Sequence, residues 1–268
     1  MTKLAESLGN IYSLESLSEG DTIIHKMHPG IKLSTTVIYI ISVISISIYD
    51  LGGVLSYSFY PIFLMALAEL PYKTLISRLL LALPIAIFAG ISNVFFNQHI
   101  ALYIGTLGIS YGLISFIVIA IKTIFTVMAV LILVATTPLD VICHQLIKIK
   151  VPQIIVVQIM LSYRYISCIV EETRNMYTAY ILRSNGKKSI NMKDMGNFAG
   201  QLLLRSLDRA ERVYYSMKCR GFCGDYHFVK SQKILKIDLM YFLIVSGSCL
   251  FFKMFSFSEI FEKIMNIR

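Results

Sequence analysis

Long apolar runs, separated by short polar stretches, occupy most of the first half of the chain. A helix that crosses the ~30 Å hydrocarbon core of a bilayer needs about 20 apolar residues. Four runs come close to this length, and a fifth run near the C-terminal end is shorter. The predicted spans are residues 31–49, 54–70, 79–96, 113–136 and 239–252. The stretch 97–112 contains too many polar residues and glycines to span, so we expect a loop or a re-entrant hairpin there.

Composition supports a membrane protein. Hydrophobic residues make up 56% of the chain and charged residues only 15%, whereas a soluble domain carries about 25% charged residues. Residues 1–30 lack the continuous apolar core of a secretory signal, so we expect a polar lead-in. The predicted fold class is an all-α integral membrane protein with about five transmembrane helices and a long helical cytoplasmic segment.

The distribution of charge predicts the orientation of the chain. Residues 138–236 hold 16 Lys and Arg against 7 acidic residues, and their net charge of +9 equals that of the whole protein. Lys73 and Arg78 lie between the second and third spans, whereas 97–112 contains no Lys or Arg. Because cytoplasmic loops are enriched in basic residues, the N-terminus and the basic segment are predicted to be cytoplasmic. Four of the five cysteines fall in this segment, and free thiols are expected.

Three helices are predicted in the basic segment. A short helix runs from Pro138 to about residue 150, and a long one of about 33 residues, roughly 50 Å, begins at Pro152 and ends before Asn185-Gly186. A third helix is expected from Asp194, as its N-cap, to Gly221. One apolar stripe on this helix consists of Leu203, Leu207, Ala210, Tyr214 and Met217. We expect the two long helices to bury their apolar stripes against each other and to present their ends together.

The two long helices end alike, in Leu182-Arg183-Ser184 and in Cys219-Arg220-Gly221. Helix capping alone could explain this likeness, because cations and glycine both favour helix C-termini. A second stripe on the third helix carries Arg205, Arg209 and Arg212, with Asp208 and Glu211 interleaved.

These residues carry a resemblance to a known family. Residues 206–222 read S-L-D-R-A-E-R-V-Y-Y-S-M-K-C-R-G-F and are similar to the R-A-E-R-V-Y-x-A-M-x-A-R-G-F run of CbiQ-like cobalt-transport permeases. These permeases are the transmembrane (T) components of energy-coupling factor (ECF) transporters of the ABC class. Weaker similarities are H-P-G-I-K-L at 28–33, T-T-P at 136–138, Y-R-Y at 163–165 and E-E at 171–172. The two Ala-Arg-Ser/Gly motifs of the family fall on the two helix ends, where Leu182 and Cys219 replace alanine.

The resemblance implies that both helix ends are coupling elements that dock on a pair of ATP-binding cassette subunits. Arg183 and Arg220 would contact acidic residues of those subunits, because an arginine offers five donors in a planar fork. The flanking coupling residues are Leu182, Ser184, Cys219 and Gly221, and the supporting residues on the last helix are Arg209, Glu211 and Arg212. The implied domains are a lead-in (1–30), four spans (31–136), cytoplasmic coupling helices (137–236), and a last span with a tail (237–268).

The resemblance also implies the partners and the cargo. A separate substrate-binding membrane subunit would capture a transition metal ion, with cobalt favoured over nickel, and a small accessory membrane subunit is a further candidate partner. The chain has no Gly-x-x-x-x-Gly-Lys-Ser/Thr loop, so ATP and magnesium would be bound by the partner subunits. The chain itself is expected to be a non-catalytic subunit in the cell membrane and to bind no cofactor. Two alternatives stay open: a vitamin-importing relative, and a membrane-anchored scaffold that binds anionic lipid. Nucleic acid is not an expected partner, because acids are interleaved with the arginines.

Other polar residues give weaker signals. His25 and His28 have few potential ligands nearby, and Cys219, Cys223 and His227 supply only three ligands for a zinc ion. A membrane enzyme is disfavoured because the acids are scattered along the chain.

Lys122 falls within the fourth predicted span, where an ionisable residue often marks a functional site. A structural ion pair, or a side chain that reaches toward the interface, is the favoured interpretation of this lysine.

Overall fold

The computed structural model describes residues 17–18, 20–96, 100–104, 107–184, 190–223 and 234–254. The chain divides into two compact units, one comprising Met1–Ile142 with Gln232–Arg268 and the other comprising Cys143–Ser231. The second unit is therefore inserted, in sequence, between two parts of the first. Its range falls inside the predicted cytoplasmic segment 137–236.

Helices form nearly all of the described secondary structure. In chain order the elements are α1 (Ile23–Lys26), α2 (Pro29–Ser45), α3 (Leu51–Ser56), α4 (Phe59–Leu67), α5 (Tyr72–Phe96), β1 (Ile100–Ile104), β2 (Leu107–Ser110), α6 (Tyr111–Thr136), α7 (Leu139–Lys148), α8 (Gln153–Arg183), α9 (Met192–Cys219) and α10 (Lys236–Met254). Helices α2, α5, α6 and α10 cover the first, third, fourth and fifth predicted spans, so the sequence pattern located these helices to within a few residues.

The second predicted span, 54–70, is not one helix, and here the prediction was wrong. The chain forms α3 and α4 with a turn at Tyr57 and Ser58 between them. Pro61 has no N–H with which to bond the carbonyl of Tyr57 four residues earlier. That carbonyl instead accepts a hydrogen bond from the Tyr39 hydroxyl of α2, at 2.9 Å. The proline therefore breaks the helix, and a neighbouring helix satisfies the freed backbone group.

Residues 97–112, predicted to be a loop or a re-entrant hairpin, contain a β-hairpin. Strands β1 and β2 pair antiparallel, with Ile104 opposite Leu107 and Ile100 opposite Ser110. Ser110 is also the N-cap of α6, and its side chain accepts a hydrogen bond from the Leu113 N–H.

Three of the described helices are long and apolar enough to cross a membrane, namely Tyr72–Phe95 in α5, Tyr111–Thr136 (α6) and Gln153–Arg183 (α8). The apolar segments of α2 and of α3 with α4 are shorter. On α5, Leu81, Ile85 and Phe88 share one face and are 74–84% exposed. In water such a face would leave roughly 2 kcal/mol of burial free energy per residue unused, which favours a position of α5 within a membrane. The chain is a membrane protein, and the count of five spans remains a prediction. Helix α8 lies in the segment predicted to be cytoplasmic, so the location of that segment remains a prediction as well.

The core of the first unit lies between α2, α4, α6 and α10. One cluster of buried apolar residues comprises Ile24, Met27, Leu64, Ala68, Leu70, Leu75, Ile132 and Ala135. A second cluster comprises Tyr39, Val43, Tyr57, Ala129, Val245 and Cys249. The Tyr57 hydroxyl donates to the carbonyl of Cys249, at 2.9 Å, and so joins α10 to the turn between α3 and α4.

Lys122 has a structural role at the end of α2. Its ammonium donates hydrogen bonds to the carbonyls of Ile44 and Ile46, where α2 ends. Lys253 of α10 also reaches this end and donates to Ser45 at 3.1 Å. The last carbonyls of a helix carry partial negative charge and attract cations. These contacts give Lys122 a structural role through backbone carbonyls, whereas the sequence favoured an ion pair or a side chain that reaches toward the interface.

In the second unit, α8 and α9 have nearly the predicted bounds. α8 follows Pro152 and extends for 31 residues. α9 begins at Met192 after Asn191, so Asp194 lies in its first turn and is not the N-cap that the sequence suggested. The Asp194 carboxylate instead accepts a hydrogen bond from the Tyr180 hydroxyl of α8, at 2.6 Å.

Candidate coupling surface

Both predicted arginines stand at helix ends with their side chains exposed. Arg183 is the last residue of α8, and the N–H of Ser184 closes the final turn on the carbonyl of Tyr180, at 2.9 Å. Leu182 is exposed next to Arg183. Asn185 and Gly186, which the sequence suggested as the helix stop, lie outside the described residues.

The end of α9 is a Schellman motif. The N–H of Phe222 bonds the carbonyl of Met217 at 3.0 Å, and the N–H of Gly221 bonds the carbonyl of Lys218 at 2.9 Å. Gly221 has a φ of +83°, a conformation that L-residues with a side chain rarely adopt. Gly221 thus has the capping role that the sequence analysis kept as an alternative, and it leaves Arg220 exposed at the C-cap.

Gly221 caps α9, and the position of each arginine at a helix C-terminus is itself favoured by the helix dipole. Within the described parts of the chain, neither Arg183 nor Arg220 has a carboxylate within 4 Å. Cys219 and Cys223 are both exposed, while His227, the third residue of the weak zinc hypothesis, falls outside the described residues.

Helices α8 and α9 are antiparallel, so their C-terminal ends are far apart. Near the end of α8, Tyr180 contacts Asp194 in the first turn of α9. At the other end, Met217 and Phe222 line the same groove as Leu161 of α8. α9 has 28 residues and is therefore about 42 Å long, which places Arg183 and Arg220 roughly 40 Å apart.

The prediction that the two helix ends are presented together was therefore wrong. The contacts from Tyr180 to Asp194 and from Glu172 to Arg205 show instead that α9 runs back along α8.

Polar contacts connect the two helices along their length. The carboxylate of Glu172 in α8 pairs with Arg205 through one oxygen and with Arg209 of α9 through the other, the latter at 3.7 Å. Arg209, predicted to support the coupling site, therefore joins the two helices. The sequence grouped the arginines into one stripe but could not show that Glu172 faces this stripe from the other helix. Glu211 and Arg212, the other supporting residues, are exposed.

The apolar stripe of α9 is not buried against α8, contrary to expectation. Leu203, Leu207 and Tyr214 are 48–60% exposed, and none of the residues of α9 is buried. An open apolar groove of about 450 Å³ remains between the two helices. Its walls include Ile154, Leu161, Val213, Tyr214 and Met217.

A second groove, beside the end of α9, is basic. It has a volume of about 770 Å³, and four arginines line it: Arg164, Arg209, Arg212 and Arg220. Gly221 and Phe222 form part of its wall. Arg164 belongs to this set although it lies on α8, and no spacing rule within a single helix could have connected it with the arginines of α9. The end of α9 therefore presents several donors for an acidic partner.

Comparison with known proteins identifies the family. The family model described as CbiQ, cobalt transport protein, matches residues 20–230. An uncharacterized protein of Methanocaldococcus jannaschii is 25% identical over 225 residues, which cover 76% of each chain. The matched region extends from just before α1 to beyond the end of α9 and includes both arginine ends. The chain belongs to the CbiQ family of cobalt transport proteins.

Proposed function

We propose that this chain is the transmembrane coupling subunit of an ECF-type ABC transporter that imports a transition metal ion, with cobalt favoured over nickel. In this proposal two partner ATPases bind ATP and magnesium, and a separate membrane subunit binds the metal. The chain catalyses no reaction and holds no cofactor. It converts the movement of the ATPases into movement of the metal-binding subunit in the cell membrane, with residues 137–236 on the cytoplasmic side.

The observation that supports the proposal most directly is the pair of exposed arginines, Arg183 and Arg220, at opposite ends of a rigid helical hairpin. A separation of roughly 40 Å suits contacts with two different subunits better than contacts with one. At each end an exposed guanidinium can form bidentate hydrogen bonds with a carboxylate. The hairpin would transmit a movement from one contact to the other because α8 and α9 are joined by Glu172 and Tyr180.

Because of the basic groove, we expect the two helix ends to differ in how tightly they bind the partner subunits. At the end of α9, Arg164, Arg212 and Arg220 line one groove, whereas at the end of α8 Arg183 is accompanied by exposed Leu182. We expect the α9 end to contribute more of the binding free energy, and the α8 end to add a smaller apolar and charged contact. Cobalt as cargo follows from the family. A vitamin remains the alternative, because specificity would reside in the separate membrane subunit.

A pull-down from gently solubilised membranes tests this proposal. The tagged chain is purified together with co-expressed ATPase subunits, and the Arg183→Glu/Arg220→Glu variant is compared with the wild type. The matched control is Arg174→Glu/Lys193→Glu, which makes the same change in charge at exposed positions of the same two helices. We expect the ATPases to be lost from the first variant and retained by the control. If the wild-type chain retains no ATPase, the proposal is wrong.

A second candidate function is the binding of anionic lipid, favoured by the basic groove next to an apolar one. A lipid phosphate would contact Arg164 and Arg212, and an acyl chain would occupy the apolar groove. Native mass spectrometry of the whole chain distinguishes this function. Retention of phosphatidylglycerol over phosphatidylcholine, lost in Arg164→Glu/Arg212→Glu, would support it, and equal retention of both lipids would exclude it.

A further inference from the structure

The inserted unit is connected to the first unit at two points of the chain. On the outgoing side the chain leaves α6 at Thr136, shortly before the inserted unit begins at Cys143. On the returning side it enters α10 after Leu235, shortly after the inserted unit ends at Ser231. A buried polar cluster of the first unit lies at both points. It is centred on Lys32 of α2 and Asp238 of α10, with His28 and Thr136 as the other members.

Lys32 holds the outgoing connection. Its side chain lies in the first turn of α2, and the residue is only 5% exposed. The ammonium donates to the carbonyl of Thr136 at 2.8 Å, and to the carbonyl of His25 at 3.4 Å. A buried ammonium needs such acceptors, since it loses its hydration. The start of α2 is therefore fastened to the last turn of α6.

Asp238 holds the returning connection. It is 2% exposed and lies in the first turn of α10. One carboxylate oxygen accepts from the N–H of Leu235 at 2.9 Å, and the other accepts from the N–H of His28 at 3.2 Å. The first bond caps α10, and the second connects α10 to the residue before α2. The charge of Asp238 also acts on the ammonium of Lys32.

The first turn of α2 has a sequence suited to this cluster. The ring nitrogen Nδ1 of His28 accepts from the N–H of Gly30 at 3.1 Å, which makes His28 the N-cap. Pro29 follows at the first helical position, where its missing N–H costs nothing. His28 can thus cap α2 with its ring while its own N–H bonds Asp238.

We propose that Lys32 and Asp238 are positioning residues that fasten the outgoing and returning connections of the inserted unit to the start of α2. A displacement of the inserted unit then moves α2, α6 and α10 together, because both connections are held to the start of α2. Without these contacts the two connections could move independently. The hydrogen bonds of Lys32 and Asp238 are present in the structure, whereas their importance for transport rests on the proposed coupling function.

A distance measurement on the purified chain tests the tie without any partner. Spin labels are placed at Val134 near the end of α6 and Leu239 near the start of α10, two exposed positions, after serine has replaced the exposed cysteines. Lys32→Met should broaden the distribution of label distances, and exposed Lys73→Met, as control, should leave it narrow. The double variant Lys32→Met/Asp238→Asn leaves no orphan buried charge that would hinder folding, and it should show the same broadening. A distribution as narrow as that of the wild type in both Lys32 variants would overturn the proposal.

The role in transport is tested in the reconstituted complex. In Lys32→Met/Asp238→Asn we expect the ATPases to remain bound, because Arg183 and Arg220 are intact, while metal uptake per ATP hydrolysed falls at least tenfold. An unchanged ratio of uptake to hydrolysis would overturn the positioning role. If the wild-type chain binds no ATPase, the coupling function fails, and the label distances still decide whether the tie exists.

Discussion

Gly221 offers a sharp test of how the end of α9 is held. Its φ of +83° is unfavourable for alanine, and an alanine Cβ at this position would meet no atom of the described residues within 4 Å. The cost of Gly221→Ala is therefore one of backbone conformation alone, about 1–2 kcal/mol. A local cost of this size increases the open population of the last turn roughly 5- to 30-fold.

Hydrogen exchange measures this change directly. The N–H groups of residue 221 and Phe222 bond the carbonyls of Lys218 and Met217, so we expect both to exchange roughly 5- to 30-fold faster in Gly221→Ala.

The matched control for this measurement is Gly196→Ala. Gly196 lies inside α9 and also has open space around the missing Cβ, so alanine should stabilise the helix there by about 1 kcal/mol. The two glycine replacements should therefore have opposite signs. Unchanged or slower exchange in Gly221→Ala would refute the capping account and remove the basis for a fixed Arg220.

Three further replacements test separate parts of the fold. Lys122→Met should destabilise the chain by about 1 kcal/mol, because the carbonyls at the end of α2 lose their cation. Thermal unfolding in detergent measures this change, with Lys73→Met as the control, and equal unfolding midpoints for the two variants would contradict the prediction. Lys150→Gly should stabilise the chain by about 1 kcal/mol, because Lys150 has a φ of 67° and glycine adopts a positive φ more readily than lysine does. An unchanged midpoint of thermal unfolding would show that no backbone strain is relieved. Glu172→Gln should weaken the link to Arg205 and lower the free energy of unfolding by less than about 1 kcal/mol. This difference in stability from the wild type should shrink in high salt, and a salt-independent difference would argue against an ionic link.

The sequence predicted the features that depend on local chemistry. The apolar runs located α2, α5, α6 and α10, and Pro152 correctly marked the start of α8. Gly221 was recognised at the end of α9 because few other residues adopt a positive φ. In each case the cause lies within one helix or one turn, and so it can be read from spacing and residue type.

Features that depend on contacts between distant parts of the chain could not be predicted. The break between α3 and α4 depends on Pro61 and on a neighbour, Tyr39. The Tyr39 hydroxyl donates a hydrogen bond to the carbonyl of Tyr57, which Pro61 cannot bond because it has no N–H. The link from Glu172 to Arg205 joins helices whose relative register the sequence does not reveal. The antiparallel hairpin also separates Arg183 from Arg220, which were expected to lie together because the two helices were expected to bury their apolar stripes against each other.

The central claim is that the two helix ends couple ATP hydrolysis to metal import. Its most direct test is ATP-driven cobalt uptake into proteoliposomes that contain the chain, its ATPases and the metal-binding subunit. The account predicts uptake with the wild type and with Arg174→Glu/Lys193→Glu, and at most background uptake with Arg183→Glu/Arg220→Glu. Full uptake by the last variant would show that the arginine ends are helix caps without a coupling role.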